Sequence, residues 1–316
     1  MAPADRRIDV HHHVLTDFYM DAQRAAGISG IAYRGFPDWT PEMSLALMEE
    51  LGIASAILSF TSPGIYFGDL AQTRDLARQC NDYLASLAAD HPGRFGGFAF
   101  LPLPDIDASL AELERVVVEL ELDGVCLLTS VDERYMGHPD FEPVYAELDR
   151  RRVVTLIHPC YPPGTEARGW NIPRMIIDYP FETTRVAANL IMNGVMERHP
   201  DIPFILSHAG GTLPFLAHRM AICDQLTSLR ENYPEDSPAY IKRFYFDTAL
   251  SGDKVPLDTL SAIADPSRIL FGSDYPYAPE NVVTGETAGF YDGFDEAQFA
   301  AVNRGNAETL FPRFAA

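Results

Sequence analysis

Residues 8–14 read IDVHHHV, a short β-rich run that ends in three consecutive histidines. Side chains alternate faces along a strand, so His11 and His13 share one face and His12 points to the other. Two imidazoles on one face make a bidentate clamp for a metal ion. A solvated strand end would explain the same text, whereas a tag remnant does not belong inside a patterned segment. Three later runs close in the same way: VVTLIH ends at His158, FILSH at His208 and ILFGSD at Asp274. An apolar run that delivers a metal-competent side chain at its carboxyl end is the format on which the reading of the fold rests.

Working outward, eight such β-rich runs are present: Ile8 to His13, Ala54 to Phe60, Phe95 to Leu101, Gly124 to Leu128, Val153 to His158, Phe204 to His208, Phe244 to Thr248 and Ile269 to Asp274. Amphipathic stretches alternate with them: Pro41 to Leu51, Leu70 to Ala89, Ala108 to Leu120, Phe141 to Arg151, Glu182 to Arg198 and Leu213 to Leu229. Strand and helix in alternation specify a parallel sheet wrapped by helices, and eight strands predict a (β/α)8 TIM barrel. Helix-start chemistry agrees locally. Thr40-Pro41-Glu42 sets a capping hydroxyl before a proline at the first helical position, and Asp107 stands before AELERVVVEL, whose period is near 3.6. No low-complexity segment, charge block or long linker divides the chain, so residues 1–316 are expected to form one domain.

With 47% hydrophobic and 22% charged residues the composition is that of an ordinary soluble globular protein. The formal net charge of -21 opposes nucleic acid and anionic membrane as partners and leaves a small molecule as the expected one. A metal cation reverses the field locally, so an anionic substrate stays compatible with an acidic surface. The cysteines Cys80, Cys126, Cys160 and Cys223 form no CxxC pair and read as free thiols. The opening MAPADRRIDV has no apolar signal-like stretch, and the expected location is the cytoplasm.

In an α/β barrel the carboxyl ends of the strands ring the active-site mouth. A histidine after one strand is usually a satisfied structural residue. His11, His13, His158, His208 and Asp274 fall at the ends of strands one, five, six and eight, and coincidence would have to act at each. Imidazole and carboxylate suit Zn²⁺ or Mn²⁺, and three histidines with one aspartate leave positions open when coordination is five or more. His91, His138, His199 and His218 do not follow the pattern and are expected to cap turns or face solvent.

These residues resemble the amidohydrolase superfamily, through the HxH of strand one, the later His158 and His208, and the Asp274 of GSDYP. The text HPC (158–160), PFETTRVAANLIMNGVMERHPDIPFILSHAGGTLPFLAHR (180–219), FYFDTAL (244–250) and ILFGSDYPY (269–277) is similar to the aminocarboxymuconate-semialdehyde decarboxylase branch. That branch consists mostly of decarboxylases without an organic cofactor, among them enzymes acting on γ-resorcylate and 6-methylsalicylate. The resemblance implies that His11, His13, His158 and Asp274 hold one divalent metal ion, Zn²⁺ first and Mn²⁺ second, with His208 beside it. Resorcylate-type members carry glutamate in place of the first histidine, so the HxH here puts the identity of the metal in question. Binuclear relatives bridge two ions with a carboxylated lysine after strand four. The lysines of this chain are Lys242 and Lys254, so a mononuclear site follows. The resemblance further implies a homodimer in which Arg219 reaches the neighbouring active site, with a surface ion pair as the alternative for that residue.

The expected reaction is non-oxidative decarboxylation of an ortho-hydroxybenzoate such as a 6-methylsalicylate-like acid, with Asp274 and His208 as the catalytic pair and Asp274 moving the proton. A hydrolase cutting a C–C, ester or amide bond with metal-activated water uses the same residues and is the alternative. Phe60 and Trp170 are candidates to stack on a planar substrate or to pack their loops, and Arg34 to pair with a substrate carboxylate or to sit as a solvated loop charge.

Overall fold

The computed structural model describes residues 6–30, 35–163, 173–226 and 228–315. All eight expected β-runs are strands of one sheet: β1 (Arg7–His13), β2 (Ile53–Ser59), β3 (Phe95–Phe100), β4 (Gly124–Leu128), β5 (Val154–His158), β6 (Phe204–Leu206), β7 (Tyr245–Asp247) and β8 (Ile269–Leu270). They pair in sequence order, each parallel to the next. The ring is completed where the segment after β8 bonds back to β1: Val10 N donates to Phe271 O at 3.0 Å, Asp274 N to His11 O at 2.8 Å and His13 N to Tyr275 O at 2.7 Å. The fold is the (β/α)8 barrel that the sequence predicts. Strands buried on both faces read as near-continuous apolar runs, and here Ile8, Val10, Ile57, Phe98, Val125, Leu156, Ile205 and Phe246 are fully or almost fully buried.

Local chemistry explains where the helices sit. Thr40 accepts from Met43 N, Pro41 occupies the first turn, and Gly52 closes the helix Pro41–Leu51 in the left-handed conformation at φ 66°. The helix that carries AELERVVVEL begins earlier than that text suggests. Its cap is Asp105, whose carboxylate accepts from Ala108 N at 3.1 Å, and Asp107 adds negative charge to the first turn of Ile106–Val118. The stretch expected to be helical from Leu213 to Leu229 is helix only over Leu213–Cys223. His138 caps a turn as expected, but His199 is buried and bonded to Glu142 at 2.9 Å instead of facing solvent. None of the four cysteines is disulfide-bonded. Among the described residues no helix is long and apolar enough to cross a membrane.

Two strand ends depart from the alternating pattern. The runs FILSH and ILFGSD leave the ladder at Leu206 and Leu270, before their functional residues. His208, Ala209 and Asp274 have φ of 56°, 55° and 59°, a left-handed backbone that ends a strand and is sparsely populated by non-glycine residues. Such strain persists where surrounding contacts over-determine it, commonly at a functional site.

Candidate active site

The carboxyl ends of the strands bring His11, His13, His158 and Asp274 together, with one ligand-type atom from each lying within 4.8 Å of all the others. Each is 7% exposed or less. Their outer atoms are tied down in a way that fixes where the inner ones point. His11 Nδ1 sits 2.8 Å from Asp247 Oδ2, and His13 Nδ1 lies 3.0 Å from Ser59 Oγ. A carboxylate can only accept, so His11 donates from Nδ1 and turns the lone pair of Nε2 inward. The two Nε2 atoms then face each other at 2.9 Å. Asp274 Oδ1 is 3.0 Å from His13 Nε2 and 3.5 Å from His11 Nε2. His158 completes the set from β5, with Nδ1 2.8 Å from Pro159 O and the ring against Thr61 Oγ1.

Acceptor atoms packed this closely repel unless positive charge lies between them. The titration of the side chains reports that demand. Burial alone would lower His11, but Asp247 and Asp274 outweigh it and raise its pKa to about 10. Burial and the charge on His11 push His13 down to about 4. Burial and the neighbouring histidines hold His158 well below its ordinary value. Burial would raise Asp274, yet hydrogen bonds from His11, His13 and His208 keep it well below the usual carboxylate range. His11 thus takes up a proton as the positive charge between these groups, while His13 and His158 stay neutral and Asp274 ionised, and a divalent cation of the Zn²⁺ or Mn²⁺ type would supply that positive charge in the proton's place.

Asp247, at the end of β7, supports the site without lining it. Its Oδ2 accepts from His11, while Oδ1 accepts from His208 N at 2.9 Å and Ala249 N at 3.1 Å. One carboxylate thereby sets the tautomer of His11 and pins the left-handed backbone at His208. The sequence carried the signal, since FYFD closes strand seven with an acid as ILFGSD closes strand eight. Gly272 is required nearby, because a Cβ there would lie 2.8 Å from His11 Cβ and 3.1 Å from Asp247 Cβ.

A cavity of about 300 Å³ opens over the cluster, lined by His158, His208 and Asp274 with Thr61, Ser62, Tyr179, Ser251 and Tyr277 and apolar groups from Met175, Ile176, Pro180 and Leu250. His208 Nε2 is 3.5 Å from Asp274 Oδ2. The other expected site residues fall elsewhere. Phe60 is 1% exposed and packs against Tyr19, at 4.9 Å between ring centroids, and Phe18, not on the cavity wall. Its position directly after β2 places it under the first helix, Asp17–Ala25, where aromatic packing claims the ring. Arg219 is exposed on the helix Leu213–Cys223. Arg34 and Trp170 lie outside the described residues.

The amidohydrolase family model matches residues 8–313. The chain belongs to the amidohydrolase family. Among similar proteins, the 6-methylsalicylic acid decarboxylase acuB of Aspergillus aculeatus is 38% identical over 97% of this chain and 96% of its own length. A solved structure named amidohydrolase II superposes with a TM-score of 0.90 at 30% identity, covering 97% of this chain and 99% of the other. A dihydroxybenzoic acid decarboxylase from Polaromonas sp. JS666, solved with bound manganese and the inhibitor 2-nitroresorcinol, is 25% identical with a TM-score of 0.84, covering 98% and 97% of the two chains.

Proposed function

We propose that this amidohydrolase is a carboxy-lyase that removes CO₂ from an ortho-hydroxybenzoate of the 6-methylsalicylate type. The observation that carries the reading is the convergence of His11, His13, His158 and Asp274 at the floor of a small, largely apolar cavity, with His208 beside Asp274. The four residues are assigned as ligands of one divalent ion, Zn²⁺ first and Mn²⁺ second. When bound, that ion supplies a positive anchor and Lewis acidity for the oxygens of the acid.

The chain's own groups do the rest. The apolar walls at Met175, Ile176 and Leu250 exclude water and accept a planar ring. As the bond between ring and carboxylate breaks, its electron pair must stay on the ring carbon, which takes up a proton as CO₂ leaves. Asp274, ionised at rest, takes that proton from solvent and delivers it to the ring carbon, with His208 Nε2 3.5 Å from its Oδ2 to tune it. Leu250 at φ 53° and Asp274 at φ 59° hold the cavity wall and the acid in fixed, strained positions, which favours positioning over flexibility. The exposed Phe215 and Ile222 share a helix with Arg219 and are followed by exposed Leu226, an apolar face that supports a homodimer closing over this helix. Four unpaired cysteines, three of them buried, are in keeping with the reducing cytoplasm.

The test is CO₂ release from a panel of ortho-hydroxybenzoates that includes 6-methylsalicylate, with and without a chelator. Metal-dependent release from one of them supports the reading. Release from none, alongside metal-dependent turnover of lactones, esters or amides, overturns it in favour of a hydrolase.

A further inference from the structure

Among the described residues, four hydroxyl-bearing side chains other than Tyr277 line the cavity, and each has a protein partner. Thr61 bonds to His158 at 2.9 Å, Ser62 bonds to Tyr179, and Ser251 Oγ donates to Ala249 O at 3.2 Å. The Tyr277 hydroxyl is buried and has none among the described residues. Its ring stands edge-on to His13, 5.3 Å between centroids, three residues past Asp274. Buried polar groups in folded proteins are nearly always hydrogen-bonded, so an orphaned phenol in the wall of a ligand cavity marks a place where the ligand completes the pair. A phenol is protonated at neutral pH.

The acceptor follows from the chemistry of the cavity. Among its described lining residues there is no arginine or lysine, so an anionic oxygen in it meets neutral donors from the protein. A benzoate carboxylate is charged and offers more lone pairs than one contact can use. We infer that Tyr277 is a specificity-determining residue that recognises the carboxylate of the acid through its hydroxyl and loses that acceptor once CO₂ has left. The same bond then holds the acid and releases the phenol. This rests on the decarboxylase reading above.

The variant that tests it is Tyr277→Phe, in metal-loaded protein, with 6-methylsalicylate as substrate and its product, 3-methylphenol, as inhibitor. Loss of a hydrogen bond to a charged acceptor lowers kcat/KM on the order of 10- to 100-fold, carried chiefly by KM, while the inhibition constant of 3-methylphenol stays within about twofold. Removing an orphaned hydroxyl also leaves Tm unchanged or slightly raised, so the variant folds and the loss is functional. Equal weakening of acid and phenol would place the contact on the ring hydroxyl and overturn the assignment. So would unchanged affinity for both. A wild-type protein that binds metal yet decarboxylates no hydroxybenzoate instead removes the decarboxylase reading, an outcome separable from failure of Tyr277 alone.

Discussion

His12 and its two neighbours are identical residues one position apart, and they lie in opposite kinds of polar cluster. On the outer face of β1, His12 lies 3.0 Å from Asp9 Oδ2 and 2.8 Å from Ser44 Oγ, and Ser44 also takes Trp39 Nε1 at 2.8 Å. The other oxygen of Asp9 accepts from His11 N and Ser273 N, each at 3.0 Å. That network is closed. It binds β1 to the seam after β8 and to the helix Pro41–Leu51. On the inner face, His11 and His13 turn their Nε2 atoms at one another, and among the described residues His208 Nδ1 and the Tyr277 hydroxyl have no partner. A buried network that satisfies itself holds a fold, whereas one that leaves acceptors opposed and donors orphaned is built around something that binds.

Removing the metal is the most severe way to break the comparison. Dialysis against a strong chelator is expected to abolish turnover while circular dichroism shows the barrel intact, and added Zn²⁺ or Mn²⁺ restores activity. Because the ion binds the folded state, saturating it at about a thousand times its Kd is expected to add about 4 kcal/mol of stability, read as a rise in Tm. A chelated protein that loses its fold, with no metal-dependent turnover of any acid, would make the centre structural. Next in size is Asp274→Asn. The amide preserves shape but can neither carry the proton nor balance the imidazoles, so kcat is expected to fall by about 10³-fold with the fold retained. Full activity in that variant would falsify the proton-transfer role.

The inner face was legible in the sequence to a useful depth. Strands buried on both sides must be apolar, which is why all eight runs can be counted, and the alternation rule alone separates His12 from His11 and His13. What the rule could not show is a ladder that stops early. Ser207, His208 and the stretch from Phe271 to Asp274 read as strand because they continue apolar runs, yet they run outside the ladder, with His208 and Asp274 in left-handed conformations held by tertiary hydrogen bonds. Phe60 read as a pocket aromatic because no local pattern reveals that Tyr19 and Phe18 arrive from a distant helix to enclose it.

Asp247 went unassigned for a different reason, since its role is to position others. Asp247→Asn sharpens the comparison by turning an inner-face residue towards the closed state. The amide oxygen still accepts from His208 N and Ala249 N, but its NH₂ faces His11 Nδ1, which must then accept and place its proton on Nε2. His11 is expected to lose ligand character, and metal affinity, measured by competition with a chromophoric chelator, to fall about 10- to 100-fold. Affinity equal to wild type would show that Asp247 does not set the tautomer.

The smallest effect on chemistry belongs to the outer face. His12→Gln removes an imidazole that bridges Asp9 and Ser44, and the shorter amide cannot span both with the same geometry. Asp9 keeps its bonds from His11 N, Ser273 N and Ser273 Oγ, so the seam between β1 and the segment after β8 stays closed and Asp274 stays in place. Ser44 retains Trp39. The loss is therefore one or two buried hydrogen bonds, about 1–3 kcal/mol of stability, visible as a lower urea midpoint. Turnover and metal affinity are expected within about twofold of wild type, since Asp9, the one partner His12 shares with His11, keeps its bonds to the backbone at His11 and Ser273. If His12→Gln instead cost metal affinity as Asp247→Asn does, the two faces of β1 would be one coupled network, and the division between a closed structural cluster and an open functional one would fail at the strand that defines it.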